Sequence, residues 1–320
     1  LIMTRAADAF CRWDAGQKLA VDIMQALIAD YQPDQPMDLD PRLVDAFRLI
    51  LNNKQLDKAM IGKVLSLPTE AYLAELADIV DVDAIYAVRQ FVRKALATQL
   101  EALFVALYHE NNLSVAYSPD ADSMARRSLK NLCLSYLMSL GNDDYLELAK
   151  QQYHNADNMT DQQAALTLVA HSGFSTAATE LLEDFYQRWQ SESLVVNLWL
   201  AIQSSDPKAG GLARVKALMQ HPAFDSKNPN KLRSVISTFC MQNAKNFHNL
   251  DGSGYRFLAD RVIELNRTNP QVASRMLTPL TRWRKYSEQR QNLMVTQLNR
   301  IESSGELSKD IYEVLSKSLP

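Results

Sequence analysis

The sequence predicts an all-α protein: a superhelical α-solenoid of antiparallel helix pairs, HEAT/armadillo-like, forming a single domain over residues 1–320. Three observations carry that expectation. The 320 residues include only 9 Gly and 11 Pro, where average usage gives about 22 and about 16. Sheet proteins need glycine turns at short intervals and phosphate loops need clustered glycines, so barrels, sandwiches and nucleotide-binding α/β folds are disfavoured. Apolar residues recur at steps of three and four along most of the chain. Short polar connections separate these stretches, which forces antiparallel neighbours, and many such pairs in succession stack into a curved superhelix. No clean sequence repeat is visible, and no linker divides the chain.

The first helix is expected from Thr4 to Tyr31, with Phe10, Trp13, Ala20, Met24, Leu27 and Tyr31 along one face. The Pro-rich break Gln32–Pro36 ends it. Shorter helices are expected over Pro41–Asn53 and Leu56–Leu65, then Glu70–Ala77 after the punctuation Leu67-Pro68-Thr69. A long helix is expected over Val82–Glu110. Its seam is Ile85, Val88, Val92, Leu96, Leu100, Leu103 and Leu107, leaving Arg89, Arg93, Lys94 and Glu101 largely outside. From Ser118 onward, helices of about 12–18 residues are joined by short loops. Ser118-Pro119, Asp206-Pro207, Asn228-Pro229 and Asn269-Pro270 combine a capping side chain with proline at the first helical position. Thr160-Asp161-Gln162-Gln163 reads as a capping box. Asn228 and Asn269 are 41 positions apart, close to the period of two-helix solenoid repeats.

Composition narrows the function classes. The 34 Lys+Arg against 37 Asp+Glu give a net charge of −3, which excludes a protein held to nucleic acid or anionic membrane mainly by bulk charge. Cys11, Cys133 and Cys240 are odd in number and form no C-x-x-C pair. They read as free thiols of a reducing, cytoplasmic compartment, each a small buried hydrophobe. No apolar run approaches the roughly 18 residues of a membrane span, and the N-terminus lacks the basic-then-apolar order of a signal peptide. The chain begins at Leu1 rather than Met and reads as an excised piece. The expectation is a monomer with no membrane and no nucleic-acid partner.

The residues by themselves show no catalytic group and no metal ligand. His109-Glu110-Asn111-Asn112-Leu113 opens like the zinc motif H-E-x-x-H, but Leu113 stands where the second histidine is needed. His154, His171, His221 and His248 are scattered. Arg126-Arg127-Ser128-Leu129-Lys130 reads as a solvated helix face. Arg282-Trp283-Arg284-Lys285-Tyr286 interleaves cations with aromatics as single-strand binders do, yet Glu288 lies in the same stretch and Trp283 and Tyr286 read as packing residues. The sharper pair is Arg233, just past the first turn after Asn228-Pro229, and Arg275 after Asn269-Pro270, with Gln271 one i,i+4 step before Arg275. Two readings stand open. If the two helices are successive members on one side of a solenoid, they form an anion-attracting patch; otherwise these are ordinary surface arginines.

Several segments resemble the bacterial aminopeptidase N family, zinc-dependent alanyl aminopeptidases. They are Phe10-Cys11-Arg12-Trp13-Asp14-Ala15-Gly16-Gln17, Asn158-Met159-Thr160-Asp161 with Ala164-Ala165-Leu166, and His221-Pro222-Ala223-Phe224 through Asn228-Pro229-Asn230. Phe247-His248, Asp251-Gly252-Ser253-Gly254-Tyr255 and Asn269-Pro270-Gln271-Val272-Ala273-Ser274-Arg275 with Pro279-Leu280 and Tyr286 complete the match in order. The resemblance is to that family's C-terminal helical domain, whose zinc helix and G-A-M-E-N loop would lie before Leu1.

The resemblance implies a parent enzyme using Zn2+ to remove N-terminal residues, Ala and basic ones preferred, from peptides. It implies that this chain binds no cofactor itself and has as partners its own N-terminal and catalytic domains and the peptide substrate. It implies a helical bowl closing over the active site, with Arg233, Arg275 and Gln271 at the chamber wall as substrate-positioning groups. Trp13, Tyr255 and Phe257 are expected to pack, and Gly252 and Gly254 to shape a turn. The alternative is a free-standing helical solenoid that binds a peptide or protein partner.

Overall fold

Every regular element is helical among the residues that the computed structural model describes, 9–319, where the side chains of residues 9–13 are not described. The expected start at Thr4 and the side chains of Phe10, Cys11 and Trp13 therefore lie outside the described residues. The chain forms two compact units. One holds residues up to Leu76 together with Asp83–Leu181, the other Ala77–Val82 together with Leu182 onward. None of the described helices is long and apolar enough to cross a membrane.

The first unit contains α1 (Ala9–Ala29), α2 (Pro41–Leu51), α3 (Lys58–Val64), α4 (Glu70–Leu76), α5 (Val82–Asn111), α6 (Ala121–Met138), α7 (Asp143–Asn155) and α8 (Met159–Ala170). Helix α2 starts where Asp40 accepts from the Arg42 N–H at 2.9 Å and Pro41 takes the first position, and it buries Leu43, Val44, Phe47, Ile50 and Leu51. The seam of α5 runs as expected through Ile85, Val88, Val92 and Leu96. At Leu100 the backbone leaves the helical region (φ −124°, ψ 18°). Beyond that kink the buried residues are Phe104 and Tyr108 rather than Leu103 and Leu107, which are half-buried. The stripe has moved on by one position because one non-helical residue re-aims everything after it. Phe104 stacks on Tyr136 at 4.4 Å, and the Tyr136 hydroxyl donates to the Leu65 carbonyl at 2.7 Å.

Two start signals shift. Helix α6 is capped by Asp120, which accepts from the Ser123 N–H at 2.8 Å, rather than by Ser118. Helix α8 is capped by Asn158 instead of Thr160, because the Asn158 side-chain oxygen accepts from the Asp161 N–H at 2.9 Å. Asp161 is itself committed elsewhere. Its carboxylate takes the Lys130 ammonium at 2.6 Å and the Asn131 amide at 3.0 Å. Gln152 links Asn131 to the Tyr108 hydroxyl, accepting from the latter at 2.9 Å. Lys130, expected on a solvated face, is thus inside the first unit at 6% exposure.

Helix α9 (Ser175–Trp189) carries the chain into the second unit, which holds α10 (Ser193–Ser204), α11 (Gly211–Leu218) and one continuous helical stretch. That stretch is α12 (Pro229–Leu232), a π-helical turn (Arg233–Ser237) and α13 (Thr238–Gln242). Then come α14 (Ala244–Phe247), α15 (Ser253–Leu265), α16 (Pro270–Met276), α17 (Thr278–Thr281), a 3-10 turn (Trp283–Lys285), α18 (Glu288–Glu302) and α19 (Lys309–Ser318). Residues 77–82 strap onto the 3-10 turn: Val80 N–H donates to the Lys285 carbonyl and the Lys285 ammonium to the Ala77 carbonyl, each at 2.7 Å. Asp206-Pro207 does not start a helix; α11 begins at Gly211, after a left-handed Gly210. Asn243 and Asn246 clamp the intervening loop through the carbonyls of Ser204, Asp206, Pro207 and Lys208.

An aromatic core fills this unit. Phe239 meets Phe247 and Phe257 edge-on, and Phe247 meets Tyr255. Tyr255 and Phe257 therefore pack as expected. His248 sits beside them, its Nδ1 2.8 Å from the Tyr255 hydroxyl and its ring stacked on Tyr286. Burial, helped by the nearby Arg290 charge, pushes the His248 imidazole down to about 3, whereas an unfolded histidine titrates near 6.5. A folded pKa below the unfolded one means that folding holds the neutral ring. Its contribution is therefore complete above the unfolded value and is lost as pH falls toward 3, at up to about 1.4 kcal/mol per pH unit. Urea unfolding at several pH values from 7.5 down to 4 should show this slope, and His248→Gln should flatten it. An identical slope in the variant would assign the effect to other groups.

Candidate functional site

The second unit brings two of the three expected site residues together. Arg233, from the π-helical turn, and Arg275, from α16, line one groove of about 370 Å³ with Ala201, Ser234, Ser237, Thr238, Met241, Gln242 and Val272. Asn228 sets up the first arginine: its side chain accepts from the Asn230 and Lys231 N–H groups, and Pro229 occupies the first helical position. Asn269 differs, since its side chain makes no capping hydrogen bond although Pro270 still opens α16. Gln271 is exposed one turn before Arg275 and is not among the residues lining the groove.

The π-helical turn shapes this wall. Arg233, Ser237 and Met241 form one file with a four-residue step, and Ser234, Thr238 and Gln242 form a second. In an α-helix a four-residue step overshoots a full turn by about 40°, so such files would slew around the axis. A π turn holds more residues and removes the overshoot. The carbonyl of Arg233 accepts from the Thr238 N–H, five residues on, and from the Thr238 hydroxyl at 3.2 Å. The two files thereby keep facing the groove while Val235, Ile236, Phe239 and Cys240 stay buried behind them.

The electrostatics are simple. No acidic side chain lines the groove. Arg233 keeps one contact to the Asn230 side chain at 3.2 Å, and neither it nor Arg275 is paired with a carboxylate among the described residues. Two guanidinium groups, the Ser234 and Ser237 hydroxyls and one amide thus offer hydrogen-bond donors beside the apolar Ala201, Met241 and Val272, the Thr238 hydroxyl being spent on the Arg233 carbonyl. That set suits a peptide backbone or carboxylate. It contains no general base and no nucleophile activated by one. The hydroxyl and amide members escaped the sequence reading, although the paired four-residue files were there to be counted.

The remaining sequence candidates resolve into structure. His109 is exposed at the end of α5, and no group of three or more His, Cys, Asp or Glu side chains that could hold a metal occurs among the described residues. The Trp283 indole N–H donates to the Ser318 carbonyl at 2.9 Å with Arg284 over its ring, and Tyr286 lies against His248. The aromatics of this basic stretch are therefore engaged in packing.

A family model described as "Domain of unknown function (DUF3458_C) ARM repeats" matches residues 1–320. The chain is 38% identical over 316 residues to aminopeptidase N of Haemophilus influenzae, covering 98% of this chain and 36% of that protein. Against aminopeptidase N of Escherichia coli the identity is 37% over 319 residues, covering 99% and 36%. The crystal structure of Legionella pneumophila aminopeptidase A in complex with aspartic acid superposes with a TM-score of 0.88, at 29% identity, over 99% of this chain and 37% of that chain. The chain spans a little over a third of the length of the relatives it matches.

Proposed function

The chain belongs to the ARM-repeat family whose model spans it, fitting the C-terminal helical domain of aminopeptidase N, and on that premise we propose that it serves as one domain of a zinc aminopeptidase, walling the chamber in which peptides lose their N-terminal residues. In this reading its helix pairs stack into a curved wall over a catalytic domain supplied by the rest of the parent chain. Arg233 and Arg275 hold the substrate's backbone or terminal carboxylate beyond the scissile bond, and Gln271 assists from the rim. The parent enzyme works as a monomer in the bacterial cytoplasm, favouring N-terminal Ala and basic residues.

The observation that supports this most is the juxtaposition of two carboxylate-free arginines in one groove. Charge-assisted bonds to a peptide's distal end position it without taking part in bond breaking. In this reading the zinc ion and its ligands belong to other parts of the parent protein, where the ion would activate water and polarise the scissile carbonyl.

Arg275→Ala in the parent enzyme should raise KM for tri- and tetrapeptides about tenfold. A single amino-acid amide, too short to reach the groove, should be turned over nearly as before, and zinc content should not change. Equal losses on both substrates would remove the positioning role. A parent protein with no peptidase activity would leave instead a helical solenoid that binds a peptide or protein partner.

A further inference from the structure

A second recess lies on the other side of the helical stretch that carries Arg233. It has a volume of about 250 Å³ and is lined by Tyr186, Gln190, Ser191, Ser193, Val196, Pro222, Ala223 and Lys231. None of these residues belongs to the arginine groove. Two residues along a helix is a rotation of about 200°, so Lys231 leaves the stretch on roughly the opposite side from Arg233.

We propose that this recess is a binding site for a phosphate-sized oxyanion, held by the Lys231 ammonium and the open N-terminus of α10.

Two independent features support the site. The first is Lys231 itself. It is only 7% exposed, yet its side chain makes no ion pair or hydrogen bond among the described residues. Burial lowers its pKa and no neighbouring charge counters that shift. The other buried lysine among the described residues, Lys130, shows the usual arrangement, with Asp161 at 2.6 Å. The Lys231 stem is buried while its ammonium still meets solvent, so the charge is partly desolvated with no counter-ion, a cost that a bound anion would offset.

The second feature is the start of α10, a helix of 12 residues whose first residue, Ser193, lines the recess. Its N-cap is Glu192, whose side chain makes no capping bond. The first-turn N–H groups and the positive end of the helix dipole are therefore free to meet an anion. Glu192 is exposed and is not among the lining residues, and no carboxylate lines the recess.

The donor set selects a tetrahedral anion over a planar one. It combines a point-like ammonium with the Ser191 and Ser193 hydroxyls at the start of α10, while the Gln190 amide is already spent on Gln187. There is no guanidinium fork of the kind that matches a carboxylate edge to edge.

The test is a titration with inorganic phosphate at fixed ionic strength, read by calorimetry on the protein carrying this chain. Lys231→Met should weaken phosphate binding at least about tenfold, the loss of a charge-assisted contact. A second measurement needs no variant. Amine-reactive labelling of the wild-type protein, read by mass spectrometry, should slow at Lys231 when phosphate is added and stay unchanged at exposed Lys227. Undiminished binding by Lys231→Met would overturn the proposal, as would labelling of Lys231 that saturating phosphate does not alter. Acetate protecting Lys231 at lower concentration than phosphate would overturn the assignment to a tetrahedral anion.

Discussion

Gly254→Ala should destabilise the second unit by about 3 kcal/mol or more, enough to leave a marginally stable protein largely unfolded. A Cβ placed on Gly254 would stand 2.1 Å from the Phe247 carbonyl oxygen, 2.8 Å from its carbonyl carbon and 2.9 Å from its Cα. All three are backbone atoms, so no rotamer change relieves the overlap. The backbone is also anchored: the Phe247 N–H bonds the Asn243 carbonyl at 2.9 Å, and its ring is fully buried against Phe239 and Tyr255. Moving α14 away would pull apart the aromatic core and the His248 contacts together. Gly173 is the matched control, with nothing within 4 Å of its would-be Cβ and no positive φ. Gly173→Ala should therefore change stability by less than about 0.5 kcal/mol. Urea midpoints followed by circular dichroism decide the matter, and similar midpoints for the two variants would mean that α14 can yield.

Asp161→Ala should cost the first unit about 3–5 kcal/mol, the usual result of stranding a buried charge. The carboxylate is the acceptor for three donors: Lys130, Asn131 and Asn158. Removing it leaves an ammonium at 6% exposure with only the Asn112 side chain, at 3.3 Å. The compensating experiment is the double variant Asp161→Leu with Lys130→Met, which removes both charges and should recover most of the loss. What stays lost measures the two asparagine contacts. A loss below about 1 kcal/mol for Asp161→Ala would show that water reaches Lys130 and that the pair behaves as a surface ion pair.

The helices were legible in the sequence for a local reason. Val88, Val92 and Leu96 repeat within one helix, and a four-residue step needs no knowledge of what lies opposite. The same pattern could not foretell the kink at Leu100, because no Pro or Gly marks it. Capping was half legible. Ser118 and Asp120 compete for one helix start, and the winner depends on which oxygen reaches the Ser123 N–H. Lys130 was misplaced because its partner is 31 positions away, and a charge run in sequence looks solvated until such a partner is known.

The candidate site follows the same division. Arg233 and Arg275 could be singled out by the proline-capped starts before them, but their meeting in one groove depends on how α16 packs in the second unit. Gln271 shows the converse. Its i,i+4 relation to Arg275 is present, yet only Arg275 lines the groove. The Lys231 recess had no sequence signal, since a lysine two residues before an arginine in a polar helix start looks ordinary.

The π-helical turn at Arg233–Ser237 also has a genetic meaning. A π turn is what a helix becomes when it accepts one inserted codon without breaking, the extra residue being stored as a bulge. The ancestry of the groove can therefore be sought in gene length rather than in substitutions. Relatives whose helix is one residue shorter here should have an unbroken helix, with the lining files wound out of line.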